Sequence, residues 1–152
     1  MRPMIPALTL LAMSLAGAAR AELGGTRFSV QLDQARANAS LSTATYVAYD
    51  RHEINAPDGA TVHEYADRSG QVFAVTWRAR GPVDLHQLLG AHYAKFAAAG
   101  GAAGAVVRRD LHHTSVHLPD LVVDVSVINQ NWSGRAYLPQ GLPAGVNPRD
   151  IQ

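Results

Sequence analysis

The sequence contains no cysteine, and only 16% of its 152 residues are charged. The absence of cysteine excludes disulfide bonds, zinc sites with thiolate ligands and a lipid-anchoring cysteine. Because charged residues usually make up about a quarter of a soluble protein, the low fraction argues against an acidic disordered tail or a basic nucleic-acid-binding arm. The formal net charge of +1 likewise gives no sign of a nucleic-acid partner. What remains is a chain of the length of one globular domain, which must be stabilised by its core.

Long apolar runs are missing as well, except at the N-terminus. Arg2 precedes an uncharged, mostly apolar run over residues 5–17, and small residues follow at Ala19 and Ala21. This arrangement predicts a signal peptide over residues 1–21. The run falls short of the ~20 residues that a membrane-spanning helix requires.

Cleavage after the signal peptide would leave a single exported domain over residues 22–152, with Glu22 as its first residue. No segment of this mature chain is long and apolar enough to span a bilayer. We therefore expect a bacterial protein that is periplasmic or secreted, with no membrane span in the mature chain.

Alternating apolar and polar residues predict an antiparallel sheet. Three strands joined by short turns are expected to form a meander, and two or three more strands are expected near the C-terminus. In the third strand, the alternation places Phe73, Val75 and Trp77 on one face. The expected strands cover residues 49–55, 61–66 and 71–78 in the meander, and residues 105–110, 121–128 and 132–138 near the C-terminus.

Two helices are expected to accompany this sheet. A short one covers residues 29–39, and the other begins after Asp84, a residue type that accepts hydrogen bonds at helix N-caps, and ends before Gly100. The second helix carries an apolar stripe, and Gly90 within it suggests a close approach to the sheet. The predicted fold class is therefore α+β: an antiparallel sheet made of a three-stranded meander plus two or three C-terminal strands, with one amphipathic helix packed on a face and a short N-terminal helix.

Seven histidines raise the question of a metal site. His112, His113 and His117 cluster in sequence, but the β-branched residues beside them favour an extended chain. In a strand, the side chains of His113 and His117 stand ~13 Å apart, and His112 points to the opposite face. Metal–nitrogen bonds of ~2.0 Å cannot bridge that separation. We therefore predict no metal site, and a weak zinc or copper site formed by these histidines is the alternative.

Motifs typical of enzymes are incomplete. His-Glu pairs at His52 and His63 begin a zinc-peptidase pattern, yet neither is followed by the second histidine. No serine occurs in the G-x-S-x-G context of hydrolases, and the glycine-rich segment 100–104 lacks the lysine of a phosphate-binding loop. A triad assembled from distant residues stays open, since triads are defined by geometry. The sequence thus favours a protein with no catalytic residues and no cofactor.

The remaining candidates for a binding site are Glu64, Tyr65, Trp77, Arg135 and Tyr137. A buried Glu64 would need a partner such as Arg135, and we favour a structural ion pair between them with aromatic packing around it. A ligand site formed by the five residues is the alternative. Strand register decides whether Glu64 or Tyr65 faces the core, because a one-residue slip exchanges them.

Several segments in order along the chain resemble a known family. They are LGG at 23–25, VHEY at 62–65, GQVFAVTW at 70–77, DLHQLLG at 84–90, GRAYLP at 134–139 and LPAG at 142–145. These segments are similar to those of the exported proteobacterial proteins known only as domain of unknown function family 2844. The resemblance implies export and one domain over nearly the whole mature chain. It implies no activity, cofactor or catalytic residue.

Together these observations predict a small non-enzymatic binding or accessory module of the bacterial periplasm or envelope. Its partner is expected to be an envelope protein or a small ligand, and not nucleic acid. The alternative is a weak periplasmic metal-binding protein that uses its histidines. An unrecognised hydrolase is the third hypothesis.

Overall fold

The fold is built around one antiparallel sheet. The computed structural model describes residues 22–26 and 38–152. Its strands are β1 (Ser40–Thr45), β2 (Tyr49–Asn55), β3 (Thr61–Asp67), β4 (Val72–Arg80), β5 (Val106–Arg109), β6 (His113–His117), β7 (Val122–Ile128) and β8 (Asn131–Tyr137). They form a single eight-stranded sheet in the order β1-β2-β3-β4-β8-β7-β6-β5. Two four-stranded meanders therefore meet where β4 pairs with β8.

A helical segment over residues 85–101 connects the two meanders. It consists of α1 (Leu85–Leu89), a 3-10 turn (Gly90–His92), α2 (Tyr93–Ala98) and a second 3-10 turn (Ala99–Gly101). Among the described residues, no helix is long and apolar enough to cross a membrane.

The start of this segment agrees with the sequence, whereas its middle does not. Asp84 accepts hydrogen bonds from the main-chain N–H groups of His86 and Gln87 at 2.9 and 3.3 Å, which confirms the predicted N-cap. Gly90 has a φ of +50° and interrupts the helix instead of lying within it. The close approach expected between Gly90 and the sheet is instead an approach to Glu22, because a Cβ at position 90 would lie 2.3 Å from Cγ of Glu22.

Side chains alternate between two faces of the sheet, and each face is covered differently. The helical segment packs on one face, here called the helix face, where Leu88 and Leu89 contact a core that includes Val75 and Val123. The opposite face is partly covered by residues 138–152, here called the tail, and is therefore named the tail face. The tail contains 3-10 turns at Pro139–Gly141 and Pro148–Asp150.

Aromatic packing holds the tail in place. Tyr65 and Phe73 are buried on the tail face together with Ile151 of the tail, and Tyr49 and Tyr137 pack against them. Tyr49 meets Phe73 edge to face with ring centroids 6.0 Å apart, a geometry that aromatic pairs prefer. The domain thus has one core on each side of its sheet.

Phe73 shows where the alternation of β4 breaks. Tyr65 pairs with Ala74 while Ala66 pairs with Val72, so Phe73 is the extra residue of a β-bulge. The bulge moves Phe73 to the tail face, whereas Val75 and Trp77 belong to the core beneath the helical segment. The expectation that all three share a face is therefore wrong.

The expected architecture of a three-stranded meander plus two or three C-terminal strands is also wrong. Both meanders have four strands, since β1 and β6 also belong to the sheet. Neither of these two strands was predicted. β1 is an edge strand with mostly exposed side chains, and β6 buries Val116 alone, so neither has the apolar alternation that predicts a strand. The expected short N-terminal helix over residues 29–39 lies outside the described residues except for residues 38 and 39, which are not helical.

Candidate functional site

The tail face carries a continuous row of polar side chains, one from each strand. Each member of the row lies directly opposite the next across the antiparallel pairs. Side chains in such pairs have Cβ atoms about 4.5–5.5 Å apart and interact. In the order of the sheet, the row is Ser42, Glu53, His63, Thr76, Arg135, Asp124, Ser115 and Arg108.

A second polar row runs beside the first across the central strands. It is displaced by two residues along each strand, and therefore lies on the same face. From β3 to β6, this second row is Thr61, Arg78, Ser133, Ser126 and His113.

Asp124 is the charged centre of the first row. Its Oδ1 accepts a hydrogen bond from Ser115 Oγ at 2.6 Å and lies 3.0 Å from His117 Nε2. Its Oδ2 accepts from Arg135 Nε at 3.0 Å. Burial alone would raise the pKa of Asp124, but these hydrogen bonds from Ser115, His117 and Arg135 outweigh it and hold the pKa below its usual value. The lowered pKa favours the charged form of Asp124, and both of its carboxylate oxygens are in hydrogen-bond contact.

Ser115, His117 and Asp124 resemble a catalytic triad in composition but not in geometry. The same histidine nitrogen, Nε2, lies 3.0 Å from both Ser115 Oγ and Asp124 Oδ1. A triad requires the histidine to contact its serine with one nitrogen and its carboxylate with the other. Ser115 also donates its proton directly to Asp124, so the serine is not paired with a histidine that a carboxylate orients from its other nitrogen.

An open groove of about 840 Å³ lies over the two rows. Its floor includes hydroxyl groups from Thr61, Thr76, Ser126 and Ser133, and it is bordered by the end of the tail at Ile151 and Gln152. Two arginines, Arg78 and Arg135, and two histidines, His63 and His113, also line it. The groove thus combines hydroxyl, guanidinium and imidazole groups with the ion-paired carboxylate of Asp124.

Arg78 differs from the other charged residues of the groove. Arg135 is held by Asp124 and donates from Nη1 to the main-chain oxygen of Pro148 at 3.1 Å. Arg78 is exposed in the groove between Thr61 and Ser133, its cross-strand neighbours. Within the described part of the chain, its guanidinium makes no hydrogen bond or ion pair. Its five donors are therefore available to a ligand.

The end of the tail forms the fixed wall of the groove. Tyr65 Oη donates to the main-chain oxygen of Gln152 at 2.6 Å and accepts from its N–H at 3.1 Å. Burial raises the pKa of Tyr65, which keeps the hydroxyl protonated for this role. His63 Nδ1 lies 3.1 Å from the same Gln152 oxygen, and His63 Nε2 lies 3.3 Å from Glu53 Oε2.

The sequence-predicted pair of Glu64 and Arg135 does not form. Glu64 lies on the helix face, where it is 1% exposed and pairs across the strands with His52 and Val75. Arg135 lies on the tail face and pairs with Asp124 instead. The register also answers the question of orientation: Glu64 faces the helical segment and Tyr65 faces the tail, and both are buried.

The other predicted ligand residues are divided between the two faces. Tyr65 and Tyr137 meet in the aromatic cluster beneath the tail, and the Arg135 guanidinium lies 5.9 Å from the centre of the Tyr137 ring. Trp77 belongs to the core under the helical segment. Of the five candidates, Trp77 and Arg135 are among the residues that line the groove, and only Arg135 places a charged group there. The five side chains therefore do not form one cluster.

The clustered histidines are spread along β6 and the turn before it. His113 and His117 are the first and last residues of that strand, and their contacts are to Asp110 and Asp124 respectively. His112 lies 3.1 Å from the main-chain oxygen of Val127. In residues 22–26 and 38–152, no three histidine, aspartate or glutamate side chains converge in a way that could hold a metal ion.

Arg78, Thr61, Ser126 and Ser133 were missed as site residues by sequence reasoning. The signal was present, because polar residues alternate with apolar ones in the strands that carry them. Which alternating residues become neighbours depends on the pairing of β4 with β8, and these strands are more than 50 residues apart in sequence.

Comparison with known proteins agrees with the motifs noted in the sequence. No curated protein and no solved structure matches the chain. The sequence model of one family, described as protein of unknown function (DUF2844), matches residues 19–151. Because this match covers most of the chain, the protein belongs to the DUF2844 family.

Proposed function

We propose that this protein is an exported, non-enzymatic binding module whose tail-face groove takes a small ligand carrying a carboxylate or phosphate group. The observation that carries the proposal is Arg78, an arginine exposed in a groove of about 840 Å³ with no bonding partner among the described residues. Guanidinium groups match carboxylates and phosphates in shape and bind them through paired hydrogen bonds.

The surroundings of Arg78 support an anionic ligand with further polar groups. Thr61 and Ser133 flank Arg78 across the strands. The Ser133 hydroxyl is placed to bind the remainder of a polar molecule, and the Thr61 hydroxyl, which donates to Asn55 Oδ1 at 2.8 Å, is placed to accept a hydrogen bond from it. Asp124, the side-chain carboxylate among the described residues that line the groove, is bound by Arg135, Ser115 and His117, so that it repels an anion less than a free carboxylate would. The groove volume is in the range of about 300–1,000 Å³ that is typical of small-molecule sites.

Export is the second part of the proposal. It is supported by the charged start at Arg2, the apolar run over residues 5–17, and the small residues Ala19 and Ala21. Expression of the whole chain in a Gram-negative host, followed by intact-mass measurement of periplasmic protein, tests it. A mass that corresponds to a chain beginning at Glu22 is expected, and full-length protein retained in the cytoplasm would contradict export.

Binding is tested with a defined panel of probes. Inorganic phosphate, acetate, citrate and glycerol phosphate, with uncharged glucose as the reference, are titrated into the processed protein at low ionic strength. At least one anion should bind, and Arg78→Gln should weaken that binding tenfold or more, because a charge-assisted hydrogen bond contributes about 1.5–3 kcal/mol.

Arg109→Gln is the matched control for Arg78→Gln. Arg109 is an exposed arginine of β5 that does not line the groove, and its replacement removes the same charge. Equal weakening by both variants would show that the protein attracts anions only through its overall charge. Failure of every anion to bind the parent protein would contradict the proposed ligand class.

A further inference from the structure

The first residues after the predicted cleavage position are built into the core. Leu23 is 1% exposed, and its N–H donates to the main-chain oxygen of Leu88 at 3.0 Å. Gly24 donates to the oxygen of Val72 at 2.9 Å, and Val72 donates back to the oxygen of Gly25 at 2.9 Å. The segment is therefore fixed between the helical segment and β4.

Glu22 is held at its main-chain nitrogen by a buried carboxylate. The N–H of Glu22 donates to Oε1 of Glu64 at 3.2 Å, and Glu64 is 1% exposed. On the other side, the Glu22 side chain fills the space that a Cβ at Gly90 would occupy, with Cγ 2.3 Å from that position. The nitrogen of Glu22 is thus positioned from two directions against an acid that lies inside the domain.

We propose that Glu64 is the binding site for the α-ammonium group that forms when the bond between Ala21 and Glu22 is hydrolysed. In that reaction water adds its hydroxyl to the carbonyl carbon of Ala21, and the released nitrogen of Glu22 gains a proton from water and a second one from solvent. The neutral amide donor at Glu64 is thereby replaced by a cation. This inference rests on cleavage after Ala21 and is independent of the ligand groove, which lies on the other face.

The exchange of an amide for an ammonium strengthens this contact. Hydrogen bonds between two charged groups are shorter and roughly twice as strong as neutral ones. A cation next to a buried carboxylate offsets part of the cost of burying that charge, so the ammonium group at Glu64 favours the folded state. Processing at Glu22 therefore stabilises the domain, in addition to removing its signal peptide.

The chain offers a sharp chemical test, because Lys95 is its only lysine. A processed chain has two amines that an acylating reagent can modify: the α-amine of Glu22 and the half-exposed side chain of Lys95. Protein purified from the periplasm is acylated in buffer and in urea, and both sites are quantified by peptide mass spectrometry. Relative to Lys95, the α-amine should react at least tenfold more slowly in the folded protein than in the unfolded one.

Glu64→Gln separates the ion pair from simple burial. Glutamine keeps the size and the hydrogen-bond acceptor of the side chain but removes its charge. The protection of the α-amine should fall severalfold in this variant, with Lys95 unchanged. Equal protection in the parent and Glu64→Gln would overturn the proposal, and so would a periplasmic chain that begins at any residue other than Glu22.

A second measurement uses the parent protein alone and does not depend on the folding of a variant. Acylation in buffer modifies Lys95, whereas acylation in urea followed by refolding modifies both amines. The doubly modified protein should unfold at a lower urea concentration than the singly modified protein. Identical unfolding midpoints would show that the charge on the Glu22 nitrogen contributes nothing and would overturn the proposal.

Discussion

Trp77 packs directly against the backbone of Gly134 across the junction of the two meanders. A Cβ at position 134 would lie 2.3 Å from Cζ2 of Trp77 and 2.5 Å from the main-chain oxygen of Asp124. Glycine is therefore required here by space, since the indole of Trp77 occupies the position where any other residue would have a side chain. The contact joins β4, β7 and β8, the strands that carry the centre of the groove on their other face.

The first prediction concerns this contact. Gly134→Ala should destabilise the domain by about 1–3 kcal/mol, because the added methyl group forces the rigid indole or the backbone to move. Urea unfolding measures the difference. Gly100→Ala, where an added Cβ meets nothing within 4 Å, is the matched control and should leave stability nearly unchanged. Equal effects of the two substitutions would contradict the packing described for Trp77.

The helical segment provides the second prediction. Leu89 is fully buried against the sheet, so Leu89→Ala should cost about 2–5 kcal/mol. Asp84→Ala removes the N-cap acceptor of α1 and should cost about 1 kcal/mol. Both values are obtained from denaturant unfolding. Small and equal losses would mean that the segment is not docked through Leu89.

Asp124 gives the third prediction, on the pH dependence of stability. Its pKa is lowered in the folded protein, so its contribution is present above the unfolded pKa of about 3.9 and is lost as the pH falls through the folded pKa. Asp124→Asn should therefore be less stable than the parent at pH 6, and the gap should shrink below about pH 4. Urea midpoints at several pH values test this. A gap that stays constant from pH 6 to pH 2 would contradict the assigned hydrogen bonds.

The fourth prediction concerns the attachment of the tail. Tyr65→Phe removes both hydrogen bonds between the tyrosine hydroxyl and Gln152 while keeping the ring in its cluster. Amide hydrogen exchange should become faster in the tail, particularly around Ile151, with little change in the strands of the distant meander edge. Uniformly faster exchange over the whole domain would indicate a general loss of stability instead of a loosened tail.

Local patterns predicted most of the individual elements. β2 was predicted with the bounds it has, Tyr49–Asn55, and the N-cap at Asp84 was confirmed. These features depend on residues that are close in sequence, where alternation and capping chemistry act directly. β1 was missed because prediction relied on such local patterns. The side chains of this edge strand are mostly exposed, so its sequence lacks the alternation of apolar and polar residues that indicates a strand.

The candidate site depended on relationships that no local pattern contains. The pair predicted for Glu64 and Arg135 required the two residues to share a face, and the combined register of β3, β4 and β8 places them on opposite faces. The bulge at Phe73 shifts the register of the same region by one residue. The tail has three prolines and no periodic pattern, so its packing on the aromatic cluster could not be read from its own residues.

The most direct test of the proposed binding role is to locate a bound anion in a chain that begins at Glu22. Backbone amide shifts are recorded by NMR while the tightest-binding anion of the panel is added. The proposed function predicts that the largest shifts cluster at Arg78, at its cross-strand neighbours Thr61 and Ser133, and at Ser126 beside Ser133, and that Arg78→Gln abolishes them. Shifts centred on the helix face, or shifts at the groove that persist in Arg78→Gln, would contradict the assignment of this groove as the anion site.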